Sequence, residues 1–410
     1  MPKPDVPERP LRSASLRWFF AGWSVSAAGS AMAPVALAFG VLGATGNAAW
    51  LSAVLTASMV PMIATLIIGG GIADRYGRHL VLRLTSVGAG VSQAGVAIVL
   101  LTGQHPGFLL PLVALNGVFQ GLTTPTMRGI VPLLAAGRGI QVANSLLAST
   151  RNLARIIGPA VAGLLTISVG GGWAIAADAA SFFLAAFCFG RVLAPGRRPR
   201  AEGSLPMVGE LWEGWSYFRS QSWIWSVTLA FAVWNAIYMG VWQILGPVIA
   251  VDTFGAEGWG LVLSARAAGS LLATVAMVKL TVRRPMVRAL SMMTLGAAPL
   301  ILLGTGAEAL WLAVAAFFAG AAAEFFTVVW STVCHVHIPD RLLSRVGAYD
   351  EFGSFVSIPL GQLSVPFLAA AFGAAPVAVT GGVLVAAAML LPLLLPSLRR
   401  IEMNNAATSR

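Results

Sequence analysis

Residues 47–79, NAAWLSAVLTASMVPMIATLIIGGGIADRYGRH, form an uncharged apolar run that ends in a charged turn. The first part of this stretch, 47–72, contains no Asp, Glu, Lys or Arg, whereas Asp74, Arg75 and Arg78 follow it closely. A helix needs about 20 mostly apolar residues to cross the hydrocarbon core of a bilayer. The stretch therefore predicts a membrane-spanning helix that ends in a short polar turn.

The composition of the whole chain matches this one stretch. Of the 410 residues, 57% are hydrophobic and 10% are charged, and the mean hydropathy is +0.82. An ordinary soluble domain carries about 25% charged residues. Because a water-soluble fold of roughly this length cannot bury nearly all of its surface, most of the surface is predicted to face lipid. The predicted fold class is an all-α membrane protein.

Charged, Pro-rich and Gly-rich points divide the sequence into twelve apolar segments in two six-helix halves. The predicted spans are 16–42, 47–72, 79–102, 107–133, 141–168 and 173–193, followed by 223–250, 257–280, 286–305, 308–333, 345–372 and 375–397. The predicted domains are an N-terminal tail (1–15), a first half (16–193), a linker (194–222), a second half (223–397) and a C-terminal tail (398–410).

The distribution of cations predicts the orientation. With both termini placed inside, the outer loops receive none of the 26 Lys and Arg residues, and 23 of them fall at the cytoplasmic face. The other three, Arg151, Arg155 and Arg266, lie within spans. Cytoplasmic loops of membrane proteins carry an excess of Lys and Arg. We therefore expect a multi-pass protein of the cell (inner, cytoplasmic) membrane with both termini in the cytoplasm.

The linker between the halves begins with the basic sequence PGRRPR at 195–200 and continues into an amphipathic stretch. One side carries apolar residues at helical spacing: Val208, Leu211, Trp212, Trp215 and Phe218. The other side carries Glu210, Glu213 and Tyr217. Such a helix is predicted to lie flat in the inner headgroup layer; a plain tether is the alternative.

The turn after the second span carries the clearest family signal. It reads GGIADRYGRH at 70–79, and it resembles the signature loop of the major facilitator superfamily. The residues that match the signature are Gly70, Asp74, Arg75, Gly77 and Arg78. The resemblance covers essentially the whole chain and implies a twelve-helix transporter that works by alternating access, with this loop as its inner gate. The loop at 279–285 keeps the cations but lacks the aspartate.

The fifth span resembles the antiporter motif of drug and metabolite exporters. It reads RNLARIIGPAVAG at 151–163, and the matching residues are Ala154, Gly158, Pro159, Ala162 and Gly163. Small residues four apart let another helix backbone approach closely. The eighth span repeats the spacing at Ala265, Gly269 and Ala273, and the resemblance implies that it packs against the fifth. The eleventh repeats it at Gly353, Ser357 and Gly361, suited to packing against the second.

Two further stretches, QVANS at 141–145 and IPDRLLSRV at 338–346, resemble the branch that contains bacterial macrolide and enterobactin exporters. One departure concerns the fourth span. Many proton-coupled drug exporters carry an arginine there, whereas this chain reads GVFQG at 117–121.

Charges inside the spans are candidates for proton coupling, because each costs at least about 2.5–3.5 kcal/mol to insert. Glu324, near the middle of the tenth span, is the first candidate for a proton that exchanges during the cycle; a neutral packing role is the alternative. Asp178 is predicted either to pair with Arg155 or to bind a second proton. Arg151 lies one turn from Arg155 on the same face, and an ion pair that only joins helices is an open alternative.

Two other groups of charges are interpreted more simply. Arg266 is expected to extend toward the outer headgroups. Asp350 and Glu351 are expected at the start of a helix, where acidic residues are favoured.

Polar and aromatic residues on the remaining cavity-type spans predict a pocket for an organic ligand. They are Ser26, Ser30, Asn116, Gln120, Trp234, Asn235, Tyr238 and Gln243. His335 and His337 stand alone, so neither a metal nor another cofactor is expected. The sequence shows no catalytic constellation.

The function predicted from these features is export of a small, partly apolar organic molecule, such as an antibiotic or a secreted metabolite, in exchange for protons. The expected partners are that substrate, protons and the lipid bilayer, with no nucleic acid and with the chain as a monomer. An importer of the same fold is the alternative, and a membrane-embedded enzyme or receptor is a more distant one.

Overall fold

The computed structural model describes residues 13–134, 138–192, 207–277, 284–399 and 401. All regular structure in these ranges is helical. The basic start of the linker at 195–200, the loop at 279–283 and most of both tails lie outside the described residues.

The first six spans are continuous helices. They are α1 (Ala14–Thr45), α2 (Ala48–Tyr76), α3 (Arg78–Thr102), α4 (Leu109–Leu134), α5 (Arg138–Val169) and α6 (Gly171–Gly190). Asn47 caps α2 by accepting a hydrogen bond from the Ala49 N–H at 2.8 Å. Gly46 ends α1 in a left-handed conformation (φ 61°), which glycine adopts without steric cost.

The second half begins with α7 (Met207–Ser220), and several of its spans are interrupted. The seventh comprises α8 (Ser222–Gly240), a π-helical turn (Val241–Leu245) and α9 (Gly246–Asp252). The eighth is α10 (Gly255–Met277), the ninth is α11 (Pro285–Met293) with α12 (Ala297–Gly304), and the tenth is α13 (Ala309–His337). The eleventh runs through α14 (Asp340–Phe355) and α15 (Ile358–Phe372), and the twelfth begins with α16 (Ala374–Leu390).

Twelve helical segments among the described residues are long and apolar enough to cross a membrane. Their bounds follow the predicted spans closely; the eleventh, at Arg345–Phe372, coincides with the prediction. The prediction of an all-α membrane protein with twelve spans is therefore confirmed.

The helices group into two compact units, which are described separately. The first comprises Met1–Pro199 with Ala250–Ser264, and the second comprises Arg200–Ile249 with Ala265–Arg410. In the first unit α1 packs against α5 and α6, and α2 packs against α4. In the second unit α8 packs against α14, α15 and α16, and α10 packs against α13. Each unit therefore pairs its first span with its fifth and sixth, and its second with its fourth.

Small residues allow the helices of each unit to approach closely. In the first unit a Cβ built on Gly158 of α5 would lie 2.6 Å from the Cβ of Ala31 in α1. In the second unit a Cβ on Gly361 of α15 would overlap the carbonyl oxygen of Ala236 in α8. These glycines occupy corresponding spans, the fifth and the eleventh. The contact between first and fifth span in each unit therefore depends on a missing side chain.

The stripe of small residues in the eleventh span contacts a different helix from the one predicted. Gly353 approaches the Thr228 methyl group, and the Ser357 hydroxyl donates to the Ala232 carbonyl at 2.6 Å. Together with Gly361, these residues place the stripe against α8. The expected partner was the second span, whereas the contact described here is with α8; small-residue spacing shows that a helix approaches but not which one.

Helix α7 coincides with the predicted amphipathic helix, and it also contacts protein; its place in the inner headgroup layer stays a prediction. Phe218 is buried, and the Trp215 ring lies 5.3 Å from the Tyr349 ring of α14. Glu213 forms a 2.9 Å ion pair with Arg345. The Tyr217 hydroxyl donates to the His337 carbonyl at 3.2 Å. Both predicted faces therefore contact protein, because α7 docks on α13 and α14.

A matched pair of substitutions in the eleventh span tests the helix packing. Gly361→Ala is expected to lower the free energy of unfolding, because overpacking costs about 1–3 kcal/mol. Gly347→Ala is the control, since nothing lies within 4 Å of a Cβ at that position. Alanine favours a helix over glycine by about 1 kcal/mol, so the control is expected to be as stable as the parent or more so. Equal stability of the two variants in thermal unfolding would contradict the packing.

Single cysteines test the predicted orientation. In a protein whose Cys188 and Cys334 are replaced by alanine, Gln104→Cys and Glu308→Cys are expected to react with an impermeant thiol reagent added outside intact cells. His79→Cys and Ser220→Cys are expected to react only after the membrane is opened. All four positions are exposed, so access to the reagent depends on the side of the membrane. The reverse labelling pattern would overturn the orientation.

Candidate transport site

The charged turn after the second span is as tight as predicted. Helix α2 ends at Tyr76 and α3 begins at Arg78, so Gly77 alone connects them, with φ 92°. A positive φ favours glycine, which has no Cβ to clash with the backbone. Arg75 is exposed and lies 5.6 Å from the Tyr76 ring centroid. The structure describes neither the surroundings of Gly70 nor the side chain of Asp74, so the gating role of this turn stays a prediction.

The antiporter-like residues of α5 approach two helices of the first unit. Gly158 lies against α1, and Ala162 is fully buried. A Cβ on Gly163 would lie 2.7 Å from the carbonyl oxygen of Ala256, in the first turn of α10. Pro159 also contacts α10: its carbonyl oxygen lies where a Cβ on Gly260 would be. Ala154, one turn before Gly158, is half-buried.

The small-residue stripe of α10 contacts another span than expected. A Cβ on Gly269 would overlap the Phe317 carbonyl oxygen of α13, and the Ser270 hydroxyl donates to the Gly320 carbonyl at 3.0 Å. Gly269 therefore packs against the tenth span, although the resemblance implied the fifth. The contact with α5 is instead made by the first turns of α10.

Asp178 of α6 lies in the interior of the first unit and is 1% exposed. The Gln93 amide of α3 donates to its carboxylate at 2.7 Å, and the hydroxyls of Ser30 and Ser181 also bond it. Arg155 is not among these partners. The structure therefore places Asp178 with neutral groups of α1, α3 and α6 rather than in an ion pair with Arg155. Amides and hydroxyls can serve a charged or a neutral carboxyl group.

Arg151 and Arg155 lie one turn apart on α5, and both are exposed. Glu324 lies at the middle of α13 and is half-buried. Among the described residues, none forms a hydrogen bond or an ion pair with the Glu324 carboxylate. The Glu324 carboxylate therefore lies inside a span and makes no polar contact with another helix among the described residues.

Arg266 does not extend outward as expected. Its guanidinium lies 5.5 Å from the ring centroid of Tyr238, and its Nε is shielded from solvent. The guanidinium contacts the aromatic ring because cations are attracted to the face of a π-system. Gly320 of α13 contacts the Arg266 backbone, one turn before Glu324.

The predicted pocket residues of the first unit lie on α1 (Ser26, Ser30) and α4 (Asn116, Gln120). Ser26 is half-buried, and Ser30 is exposed although it bonds Asp178. Gln120 is exposed, and its side-chain amide donates to the side-chain Oδ1 of Asn116 at 2.5 Å, whereas Asn116 itself is buried. Three of these four side chains therefore retain accessible polar surface.

The predicted pocket residues of the second unit are used mainly for packing. Trp234 and Tyr238 are buried and stack on each other with ring centroids 4.3 Å apart. The buried Asn235 amide donates to the Ser354 carbonyl at 2.8 Å. Gln243 accepts a hydrogen bond from Gln362 at 2.7 Å. The sequence pattern did not distinguish these contacts between helices from contacts with a ligand.

Asp350 is a half-buried polar centre that the sequence analysis interpreted differently. Helix α14 begins at Asp340, so Asp350 lies well inside a helix and not at its N-terminus. Its carboxylate accepts hydrogen bonds from Thr228 at 2.6 Å and from Trp330 at 2.8 Å. Its position inside the predicted eleventh span was the one available signal.

His335 and His337 bond to backbone carbonyls of their own helix, at Ser331 and Val333. Within the described part of the chain, no three His, Cys, Asp or Glu residues lie together as a metal site would require.

The family model of the Major Facilitator Superfamily matches residues 18–361, and the chain therefore belongs to this superfamily of transporters. It is a membrane transporter for a small molecule and not an enzyme. The predicted membership is confirmed.

Individual relatives are distant. The multidrug efflux pump Tap of Mycobacterium tuberculosis (strain ATCC 25618 / H37Rv) is 26% identical over 288 residues, which cover 68% of this chain and 69% of Tap. The enterobactin exporter EntS of Shigella boydii is 28% identical over 124 residues, 30% of each chain. The crystal structure of a D323A mutant of the nucleoside transporter NupG has a TM-score of 0.75, with 11% identity and coverage of 93% of this chain and 99% of that one. This last likeness shows the fold alone.

The pairing of Gln93 with Asp178 can be tested by a double-mutant cycle. Asp178→Leu is expected to lower the free energy of unfolding by about 1–3 kcal/mol, because it leaves the buried Gln93 amide without its partner. The double variant Gln93→Leu/Asp178→Leu is expected to recover much of that loss, since neither polar group is then left unpaired. Purely additive effects in thermal unfolding would show that the two side chains are not coupled.

Proposed function

We propose that this transporter exports a small, partly apolar organic molecule in exchange for protons. The observation that carries the proposal is the state of the intramembrane carboxyl groups. Asp178 is buried among neutral partners, and Glu324 is half-buried with no partner among the described residues. The outward direction is supported by the similarity to the multidrug efflux pump Tap and the enterobactin exporter EntS.

Both carboxyl groups have properties that proton coupling requires. A carboxyl group without a cationic partner inside the membrane is costly when ionised. It can therefore bind a proton on one side of the membrane and release it on the other as its surroundings change. In the proposed cycle Glu324 is the main coupling group, and Asp178 is the second candidate. Arg151 and Arg155 are proposed to set the charge near the path of the substrate.

The substrate is proposed to contact the polar group on α1 and α4, formed by Ser26, Ser30, Asn116 and Gln120. Hydroxyl and amide groups supply both donors and acceptors, which suits a neutral or partly polar organic molecule. In the second unit, Trp234, Asn235, Tyr238 and Gln243 are proposed to hold the helices of that unit together.

The loop after the second span is proposed to close the inner side of the transporter. Asp74 is proposed to oppose a helix N-terminus there, a contact that is worth up to about 2 kcal/mol when partly buried. Loss of this contact would shift the population toward the inward-open state. The residues of the α5 motif are proposed to keep α5 close to its neighbours during the cycle.

Glu324→Gln is the central test of the proposed coupling. Glutamine resembles the protonated carboxyl group and cannot release a proton. The variant is expected to equilibrate substrate down its gradient but not to concentrate it when a pH gradient is imposed. The assay uses inverted membrane vesicles and a panel of antibiotics, dyes and siderophores. Transport is detected as collapse of the pH gradient on addition and as accumulation of the compound.

Glu308→Gln is the matched control, because Glu308 lies exposed at the start of the same helix, α13. It is expected to transport like the parent protein. If Glu324→Gln concentrates substrate as well as the parent does, Glu324 is not the coupling group. Accumulation that requires the opposite orientation of the vesicles would favour an importer of the same fold.

A further inference from the structure

A second-unit carboxylate, Asp350, joins three helices. It projects from α14 and accepts a hydrogen bond from Thr228 of α8 at 2.6 Å through Oδ1. Its other oxygen, Oδ2, accepts a bond from the indole N–H of Trp330 in α13 at 2.8 Å. The intramembrane charges considered for coupling above do not include Asp350.

Aromatic rings shield this centre. The Trp330 ring stacks on Phe326 with centroids 6.0 Å apart and meets Trp223 edge-on at 5.7 Å. Trp330 thus presents its N–H to Asp350 while its ring packs among other rings. The half-buried carboxylate therefore lies beside a cluster of aromatic rings.

Among the described residues, no cationic side chain bonds the Asp350 carboxylate. Cys334 of α13 and Glu351 of α14 are close enough to interact with its charge, and the group on α8 is the neutral Thr228. Earlier in α14, Arg345 is paired with Glu213 of α7 at 2.9 Å. On the neighbouring elements, His337, Tyr217 and Tyr349 make other contacts.

The hydrogen bonds of Thr228 are compatible with two protonation states of Asp350. Its hydroxyl has one hydrogen but lies within bonding distance of two acceptors, Asp350 at 2.6 Å and the Ile224 carbonyl at 3.1 Å. When Asp350 is ionised, Thr228 donates to the carboxylate. When Asp350 is protonated, its O–H can donate to the Thr228 oxygen, and Thr228 then donates to Ile224. No heavy atom has to move: the two states differ in the proton bound to Asp350 and in the direction of its hydrogen bond with Thr228.

We propose that Asp350 is a proton-binding site of the second unit, separate from Glu324 and Asp178, with Thr228 as its positioning residue. A purely structural role needs no ionisable group here, because asparagine, which has the same shape, could accept from Trp330 and donate to the Thr228 oxygen. An ionisable group inside a span carries a cost of insertion, which proton exchange explains. That this proton takes part in coupling rests on the proton antiport proposed above.

The binding of a proton is tested without any transported substrate. Purified protein in lipid is stepped through a range of pH, and infrared difference spectra record the carbonyl band of protonated carboxyl groups. The parent protein is expected to show a component of this band that depends on pH and is absent from Asp350→Asn. Asp252→Asn, at an exposed aspartate, is the control and is expected to keep that component. Superimposable spectra of Asp350→Asn and the parent would overturn the proposal.

Two threonine variants test the role of Thr228. Thr228→Val is expected to shift the Asp350 component, because it removes the hydroxyl that bonds both forms. Thr327→Val is the matched control, since that exposed hydroxyl bonds only the Ala323 carbonyl of its own helix. An unshifted component in Thr228→Val would show that Thr228 does not position the proton.

The coupling role is separated from proton binding by transport in vesicles. Asp350→Asn is expected to lose part of the pH dependence of gradient-driven accumulation of a dye that the parent transports. If the infrared component is present but Asp350→Asn keeps the parent's pH profile, the site binds a proton that does not drive transport. If the parent protein moves no compound against a gradient, the proposed export fails, while the infrared result still decides whether Asp350 binds a proton.

Discussion

Close approach of helix backbones is the constraint on which the rest of this structure depends. Apolar side chains drive little association in lipid, so transmembrane helices associate through close packing and hydrogen bonds. Here the close contacts occur where a side chain is missing, as at Gly158 against α1 and Gly361 against α8. In the first unit, Gly117 of α4 lies in the same way against the Ser58 carbonyl of α2. These contacts determine which helix faces are available for polar chemistry.

The two units use the same pairing of spans but place their carboxyl groups differently. In the first unit Asp178 of the sixth span bonds groups of the first and third. In the second unit Asp350 of the eleventh span bonds groups of the seventh and tenth. Because carboxylates that are shielded from water need hydrogen-bond partners, the buried Asp178 and the half-buried Asp350 each lie where donors from two other helices converge. The repeat therefore supports packing in both units, while the polar centres belong to each unit alone.

Much of the fold could be predicted from the sequence, but less of the site. Span number and bounds follow from the lengths of apolar runs, which are local properties. The turn at Gly77 was predictable for the same reason. Most partners of Asp178, Arg266 and Asp350 were not, because they lie on other helices, and the sequence does not show which helices meet. Asp350 shows the difference: its position inside a span was visible, but its two donors lie 122 and 20 residues away.

The sequence by itself determined that the chain crosses the membrane twelve times, that its loops are polar and that small residues recur on certain helix faces. Hydropathy and residue size are carried by each segment alone, and a bilayer acts on each segment separately. Only the tertiary structure decided which helix meets each small-residue face and which donors meet each carboxylate. The stripe at Gly353, Ser357 and Gly361 illustrates this limit, since its spacing suits any close neighbour and α8 is the one that occupies it.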